Sequence, residues 1–199
     1  MKLADIHRNY DTDKGTSHSY IEIYDLLFER YQNQAINFCE IGVMTGGSLK
    51  LWNEYFPYAT IYGLDIWLYP EPKDWSVHGF KENQHVNDII SDFSINYPRV
   101  KLVTCDSTNL EDVDAKFKDK TTFDVIIDDG DHRVESQYAT FTNMINYLNK
   151  DGYYVIEDVE FHDVLMQRIK NSHPNLQLKF IPLYKNHRPD DTLIIITKD

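Results

Sequence analysis

The stretch Phe123–His132, with the sequence FDVIIDDGDH, joins an apolar strand pattern to an abrupt polar end. Three aspartates and a histidine follow the apolar run, and a glycine among them turns the chain. About 25 residues later the apolar run Tyr153–Ile156 ends in Glu157 and Asp158. In open α/β sheets ligands bind at the carboxyl ends of the strands, so acids that end two neighbouring strands place hard oxygen ligands at that edge. The pattern predicts a divalent-metal site with a histidine beside it.

Apolar periodicity alternates between strand and helix along the rest of the chain. The predicted strands are 36–41, 60–64, 100–104, 123–127, 153–156, 176–181 and 192–197. The predicted helices are 18–31, 48–56, 84–96, 110–117, 134–148 and one that follows the fifth strand to about residue 170. This alternation predicts an α/β fold with a doubly wound, mostly parallel, seven-stranded Rossmann-like sheet. The last two strands lack an intervening helix, so an antiparallel C-terminal strand is expected.

The composition is that of one ordinary globular domain. The chain has 199 residues, of which 42% are hydrophobic, and we divide it into an N-terminal segment and helix (1–34) and a core (35–199). The net charge of −12 disfavours a nucleic-acid partner, because an acidic surface repels a phosphate backbone. Cys39 and Cys105 lie in apolar runs, as expected of core residues in a reducing cytoplasm. No signal-peptide or membrane-spanning pattern is present, so we expect a cytoplasmic protein without membrane insertion.

A glycine-rich loop, GVMTGGS at residues 42–48, follows the first predicted strand. Glycines let the backbone pass close to a ligand. The candidate cofactor contacts in the loop are Gly42, Thr45, Gly46, Gly47 and Ser48. Ser48 is also a candidate helix N-cap, and the G-x-x-x-G-G spacing differs from the G-x-G-x-x-G of nicotinamide enzymes. Glu40, just before the loop, would repel a diphosphate but attract a cofactor that carries an ammonium group.

Acids also end the second and third predicted strands. Asp65 is placed to accept hydrogen bonds from both hydroxyls of a ribose, and Asp106, followed by Ser107, could meet an adenine amino group. A lone glycine loop is often only a turn, and a lone acid often caps a helix. In this order and at these spacings, however, the set predicts a site for S-adenosylmethionine.

A family resemblance runs over most of the chain. The residues that carry it are D-T-D-K-G at 11–15 with His18 and Tyr20, E-I-G-V at 40–43, G-G-S-L at 46–49, Trp52, Y-F-P at 55–57, Y-G-L-D at 62–65, D-D-G-D-H at 128–132 and I-E-D at 156–158. On these residues the chain resembles the metal-dependent sugar O-methyltransferases of macrolide and aminocoumarin biosynthesis, whose wider family includes proteins labelled cephalosporin hydroxylase. The resemblance implies the class I methyltransferase fold.

The resemblance also implies roles for the acids at the strand ends. Asp129, Glu157 and Asp158 would bind Mg²⁺, and Asp129 and His132 would be catalytic, with His132 as the general base. Asp128 would lie beside the methionine part of the cofactor, and residues 12–20 would close over the cofactor. The chemistry is coherent, because a divalent cation lowers the pKa of a sugar hydroxyl and a nearby imidazole can take its proton.

Two departures from the family limit what can be carried over. The family usually has a serine where this chain has Asp131, which could alter metal affinity or point to solvent. The macrolide enzymes carry an extra N-terminal region that builds their oligomer, so a homo-oligomer is an open expectation for this chain.

The acceptor side is less defined. Residues 66–82 hold many aromatic side chains, which suit the apolar faces of sugars but would equally seal a sheet edge or a subunit contact. Lys185 and Arg188, in the loop 184–190, could attract a phosphate on a nucleotide-linked sugar or be merely solvated.

The predicted function is an S-adenosylmethionine- and Mg²⁺-dependent O-methyltransferase that acts on a sugar hydroxyl. The acceptor would be a polysaccharide, a glycolipid, a nucleotide sugar or a natural-product glycoside. One alternative keeps the fold and methylates a catechol-like small molecule. An alternative from another class is a non-haem iron hydroxylase, which would need two histidines and one carboxylate.

Overall fold

The computed structural model describes residues 1–67, 86–184 and 187–198. The strands are β1 (Asn37–Ile41), β2 (Thr60–Asp65), β3 (Val100–Thr104), β4 (Phe123–Asp128), β5 (Leu148–Glu157), β6 (Gln177–Pro182) and β7 (Thr192–Thr197). They form one seven-stranded sheet in the order β3-β2-β1-β4-β5-β7-β6. Every pairing from β3 to β5 is parallel, and β7 runs antiparallel to both β5 and β6. The predicted sheet and its antiparallel C-terminal strand are confirmed.

The strand order reverses between β1 and β4. These two strands are parallel neighbours, and Ile41 at the end of β1 is the register partner of Asp128 at the end of β4. The crossover from β1 leads outward to β2, while the chain after β4 leads to β5 on the other side. A crevice opens at such a switch point because the two connections diverge from it. The acids that follow β4 therefore lie at the edge where ligands bind.

Helices cover both faces of the sheet. They are α1 (Leu3–Ile6), α2 (Ile21–Phe28), α3 (Gly47–Tyr55), α4 (Val86–Asn96), α5 (Leu110–Phe117), α6 (Val134–Met144) and α7 (His162–Ser172). Short 3₁₀ turns follow α1, α2 and α6. Apolar residues of α1 to α4 share one core cluster with Phe38, Val125 and Val155. Those of α5 to α7 share the other with Cys39 and Ile126, since successive strand residues face opposite sides of the sheet.

Three predicted boundaries were wrong by three or more residues. The predicted helix 18–31 begins only at Ile21, where α2 starts. The predicted helix 134–148 ends early, because α6 stops at Met144 and β5 begins at Leu148 rather than at residue 153. The pairing of β4 with β5 shifts in register between Phe123 and Val125 of β4. This shift lets the polar start of β5 join the sheet, although that polar stretch has no strand pattern.

Ser48 is not the N-cap of α3, since Gly46 occupies that position with φ +80°. A left-handed backbone at the cap favours glycine over serine.

Cys39 and Cys105 are both free and buried, as predicted. Residues 68–85 and Lys185 lie outside the described residues, so the interpretation of the 66–82 segment stays a prediction. Within the described ranges, no helix has the length and apolar character needed to cross a bilayer.

Candidate functional site

A cavity of about 730 Å³ opens at the carboxyl ends of β1 to β4. This volume falls within the range of small-molecule sites in proteins. The predicted cofactor contacts that line it are Gly42, Thr45, Gly47, Ser48, Asp65, Asp106, Ser107 and Asp128. Thr12, Asp13 and Ser17 line it from the N-terminal side, while closure of residues 12–20 over a cofactor stays a prediction. Glu40 and Gly46 are not part of the lining.

The glycine loop after β1 is packed tightly against two other segments. Gly42 has φ +93°, and a Cβ there would lie 1.9 Å from the carbonyl oxygen of Asp129. A Cβ on Gly47 would lie 1.7 Å from the carbonyl oxygen of Asp11. Backbone cannot move aside as a flexible side chain can, so both positions require glycine. The loop thus brings the N-terminal segment and the end of β4 together around one cavity.

Asp65 organises this loop from the end of β2. One carboxylate oxygen accepts hydrogen bonds from the backbone amides of Val43 (2.9 Å) and Met44 (3.2 Å). The other accepts from the amide of Trp67 at 2.8 Å. These bonds fix the carboxylate at the cavity wall, where the ribose of a cofactor was predicted to bind.

Asp106 and Ser107, at the end of β3, are held by local turns. The Asp106 carboxylate accepts hydrogen bonds from the amide and hydroxyl of Thr108, at 2.9 and 2.6 Å. The Ser107 hydroxyl lies 2.9 Å from that of Thr140. Asn109 is the N-cap of α5, so the helix start leaves Asp106 and Ser107 at the cavity surface.

Glu40 has a different setting from the one predicted. It is fully buried, and its Oε2 accepts hydrogen bonds from the Ser48 hydroxyl (2.8 Å) and the Trp52 indole (3.1 Å). Its Oε1 lies 3.1 Å from Nζ of Lys14. These contacts leave Glu40 behind the cavity wall, so its direct contact with a cofactor stays a prediction that this geometry does not favour.

Asp128 is the buried acid that faces the cavity. It is 2% exposed, and its Oδ2 has no hydrogen-bond partner among the described residues. Burial raises the pKa of Asp128 to about 7, although His132 and the Gly130 amide oppose the rise. A buried carboxylate oxygen without a hydrogen-bond partner is costly, and a ligand that brings a positive charge to Oδ2 would relieve that cost. The group is therefore suited to the ammonium of an amino acid moiety.

Asp129, His132 and Asp158 form one group whose ligand atoms all lie within 4.8 Å of one another. We call it the outer group, because His132 is exposed toward the cavity. Nε2 of His132 lies 3.3 Å from Asp129 Oδ1, and Nδ1 lies 3.4 Å from Asp158 Oδ2. Burial alone would lower the pKa of His132, but the hydrogen bond to Asp129 and the surrounding carboxylates raise it to about 9.

Both His132 and Asp158 have left-handed backbone. Their φ angles are +61° and +53°, which are uncommon for residues with a Cβ. Such positions cost of order 1–3 kcal/mol and concentrate at functional sites. Here the conformation turns both side chains toward Asp129 at the ends of two neighbouring strands.

Glu40, Asp129 and Glu157 form a second, buried group around the ammonium of Lys14, which we call the inner group. Nζ of Lys14 lies 2.6 Å from Asp129 Oδ2, and 2.9 and 2.7 Å from the two oxygens of Glu157. Burial would lower the pKa of Lys14, but the three carboxylates raise it well above its ordinary value. The ammonium therefore stays charged.

The three predicted metal ligands are thus divided between the two groups. Asp129 belongs to both, Asp158 to the outer group and Glu157 to the inner one. Both Glu157 oxygens face Lys14, and Oε1 also accepts a hydrogen bond from the Tyr24 hydroxyl at 2.5 Å. The three acids lie at the same edge of the sheet, but the carboxylate of Glu157 binds the ammonium of Lys14.

Sequence reasoning missed the side chains that hold these acids. Tyr20 donates a hydrogen bond to Asp158 Oδ1 at 2.5 Å, and Nδ1 of His18 lies 3.3 Å from the same oxygen. Lys14, His18 and Tyr20 all belong to the motif at residues 11–20 that carried the resemblance. Tyr24 lies one helical turn after Tyr20, and nothing in the sequence beyond its place in an apolar stripe indicated that it would contact an acid of the site.

Asp131, the departure from the family, lies at the start of α6. Its carboxylate accepts hydrogen bonds from Nε of Arg133 (2.9 Å) and from the Ser136 hydroxyl (2.8 Å). These bonds outweigh partial burial and lower the pKa of Asp131. Asp131 thus stays charged and is paired with Arg133.

The fold and the cavity define the class of protein. The whole chain matches the structure of the methyltransferase MycE from the mycinamycin biosynthetic pathway in complex with Mg and SAH, with a TM-score of 0.71 and 23% sequence identity, and covers 55% of that protein. The chain has the class I methyltransferase fold. No protein-family model matches it.

Named relatives give a closer likeness in sequence. The chain is 30% identical over 165 residues to mycinamicin VI 2''-O-methyltransferase of Micromonospora griseorubida, a match that covers 79% of the chain and 36% of the relative. It is 28% identical over 165 residues to 8-demethyl-8-alpha-L-rhamnosyl tetracenomycin-C 2'-O-methyltransferase of Streptomyces olivaceus, which it covers to 38%. The chain is a homologue of these sugar O-methyltransferases and spans little more than a third of their length.

Proposed function

We propose that this protein is an S-adenosylmethionine- and Mg²⁺-dependent O-methyltransferase that acts on a sugar hydroxyl. One observation carries the proposal. Asp128, a buried carboxylate whose Oδ2 has no hydrogen-bond partner among the described residues, stands next to the outer group on the wall of a cavity at the switch point of the sheet. A cationic amino acid moiety and a divalent ion would each find a suited set of side chains there.

The cavity residues would hold the cofactor at three points. Asp128 takes the ammonium of the methionine part, Asp65 the ribose hydroxyls, and Asp106 with Ser107 the adenine. Residues 12–20 would close over the cofactor, which the position of Thr12, Asp13 and Ser17 in the cavity lining supports. S-adenosylmethionine supplies a methyl group on a positively charged sulfur, and the protein positions the acceptor oxygen against it.

Asp129 and Asp158 are the carboxylates that would hold Mg²⁺, which prefers oxygen ligands. When bound, the ion lowers the pKa of an acceptor hydroxyl. His132 then accepts the hydroxyl proton, and the two carboxylates that flank its ring stabilise the imidazolium. Glu157, predicted as a third ligand, instead anchors Lys14 in this arrangement.

A sugar is favoured as the acceptor because the named relatives act on sugar hydroxyls. The net charge of −12 disfavours nucleic acid as a partner, and two free buried cysteines fit a cytoplasmic location. The hydroxylase alternative is weakened, because no cluster of possible ligand atoms among the described residues combines two histidines with one carboxylate. We leave a homo-oligomer as a prediction for sedimentation analysis.

Methyl transfer from radiolabelled S-adenosylmethionine tests the proposal. The acceptors are a panel of glycosides and nucleotide sugars and a catechol, each with Mg²⁺ or with EDTA. We expect transfer to a sugar that EDTA abolishes and Mg²⁺ restores. Transfer to the catechol alone would favour the alternative acceptor, and equal transfer in EDTA would remove the metal from the mechanism.

A further inference from the structure

Lys14 is a fully buried lysine surrounded by acids. Its side chain is 1% exposed, and its ammonium contacts Glu40, Asp129 and Glu157 at distances of 2.6 to 3.1 Å. A buried charge of this kind persists only when its partners are well arranged around it. One cation therefore holds together three carboxylates that arrive from β1, β4 and β5.

The contact with Lys14 determines which way Asp129 faces. Oδ2 of Asp129 binds the ammonium, and Oδ1 is left to face Nε2 of His132 in the outer group. Without the ammonium, the buried carboxyl groups of Glu40 and Glu157 would repel Asp129 or take up protons, and in both cases Oδ2 of Asp129 would lose the contact that fixes it. The geometry of the outer group therefore depends on a residue that lies outside it.

Lys14 also belongs to the segment that covers the cavity. The carbonyl oxygen of Asp11 lies against Gly47, and Thr12, Asp13 and Ser17 line the cavity. The carbonyl of Lys14 accepts a hydrogen bond from the Tyr20 amide at 2.9 Å. The buried ammonium thus attaches this N-terminal segment to Glu40, Asp129 and Glu157.

We propose that Lys14 is a positioning residue that sets Asp129 for the metal and fixes residues 11–17 over the cofactor cavity. The inference rests on the proposed function, since it assigns Lys14 a part in the same site. Metal affinity and cofactor affinity are then both coupled to one buried ammonium and its three carboxylates, although Lys14 is not part of the cavity lining.

The test compares Lys14→Met with Lys50→Met. Methionine keeps most of the lysine volume and removes the charge, while Lys50 is a control that pairs with the half-buried Asp92 at 2.7 Å. The probes are Mn²⁺ and S-adenosylhomocysteine, with dissociation constants measured by calorimetry. Loss of a side chain that holds a metal ligand in place typically weakens metal binding by about 10–100-fold. We expect a decrease in Mn²⁺ affinity of this size for Lys14→Met. We also expect weaker S-adenosylhomocysteine binding, and no change in either for Lys50→Met.

A second pair of variants separates positioning from mere folding. Glu40→Gln in the Lys14→Met background removes one of the uncompensated carboxylates, so the melting temperature should recover. Mn²⁺ affinity should stay reduced relative to Glu40→Gln alone. If Mn²⁺ affinity recovers together with stability, or if Lys14→Met binds Mn²⁺ as tightly as the wild type or more tightly, Lys14 is not a positioning residue.

The proposed function can fail separately. A wild-type protein that binds neither Mn²⁺ nor S-adenosylhomocysteine would overturn the proposed function and this inference with it. A wild type that binds both, with Lys14→Met unchanged, would overturn only the role of Lys14.

Discussion

The inner and outer groups are built from the same kinds of side chain at the same sheet edge, yet they differ in what balances their charge. The inner group surrounds a cation of the chain itself, Lys14, and its members Glu40 and Glu157 are buried with that lysine. Among its own three residues the outer group has the imidazole of His132 in place of an ammonium, and His132 is exposed toward the cavity. Asp129 belongs to both groups. Acidic residues at strand ends therefore do not define a metal site by themselves; the supply of a side-chain cation decides which carboxylates remain available.

Asp129→Ala should give the largest effect, because it breaks both groups at once. Metal ions contribute several kcal/mol of transition-state stabilisation, so we expect methyl transfer to fall by at least about 10³-fold. S-adenosylhomocysteine affinity should stay within a few fold, since Asp128 and Asp65 remain. The control is Asp131→Asn. The carboxylate of Asp131 pairs with Arg133, so its loss should change turnover little. Unchanged turnover in Asp129→Ala would remove the metal assignment.

His132→Ala tests the outer group alone. Loss of a general base costs about 10²–10⁴-fold in rate, and the rise of the rate with pH should flatten. The carboxylates hold the pKa of His132 at about 9 without metal, so a proton should leave this imidazole only as the pH rises toward that value. NMR titration of the metal-free protein, with the signal assigned by His132→Gln, measures it. A pKa near 6.5 would show that Asp129 and Asp158 do not hold the proton on His132, whereas a variant in which only the acceptor KM moves would contradict the base role.

The sequence predicted the outer group better than the inner one, for a physical reason. Strand periodicity placed Asp65, Asp106, Asp129 and Asp158 at strand ends, and parallel strands bring their carboxyl ends to one edge. Lys14 reaches Glu157 across 143 positions of sequence, and local periodicity contains no information about such a contact. The motif at residues 11–15 signalled importance, but not that its lysine would neutralise a predicted metal ligand.

Backbone detail was also beyond the sequence pattern. Glycine spacing identified the loop at 42–48, but which glycine caps α3 depends on the left-handed backbone of Gly46. Glu40 was predicted to face a ligand because it ends β1 beside the loop. It turns away because Ser48 and Trp52 on α3 donate hydrogen bonds to it, and the packing of that helix is a tertiary feature.

Asp128→Asn should weaken cofactor binding while it stabilises the free protein. Loss of an ionic hydrogen bond of about 1.5–3 kcal/mol lowers S-adenosylhomocysteine affinity by about 10–100-fold. Burial raises the pKa of Asp128 from 3.8 to about 7, so the folded state disfavours the charged form. The free-energy penalty for ionising Asp128 in the folded protein is absent below the pKa of this group in the unfolded chain. It is complete above its pKa in the folded protein. Asparagine should therefore add about 1–3 kcal/mol of stability at pH 8 and little near pH 4.

Denaturant unfolding at several pH values measures this gain in the absence of ligand. A variant that binds S-adenosylhomocysteine normally would show that Asp128 does not take the ammonium. A variant that is equally stabilised at pH 4 and pH 8 would show instead that the gain does not come from ionisation of this carboxyl group.

Trp52→Phe should produce the smallest effect and should be confined to the inner group. Phenylalanine keeps most of the ring packing against Phe38 and Phe28, whose centroids lie 5.2 and 5.9 Å away, but removes the indole donor to Glu40. Leaving a buried acceptor without that bond costs about 1–3 kcal/mol. Because Ser48 and Lys14 still hold Glu40, Mn²⁺ affinity should remain within about twofold, well under the 10–100-fold of a direct supporting partner. A large loss of Mn²⁺ affinity would mean that the inner group transmits even small changes to the outer one, and that the two are a single unit.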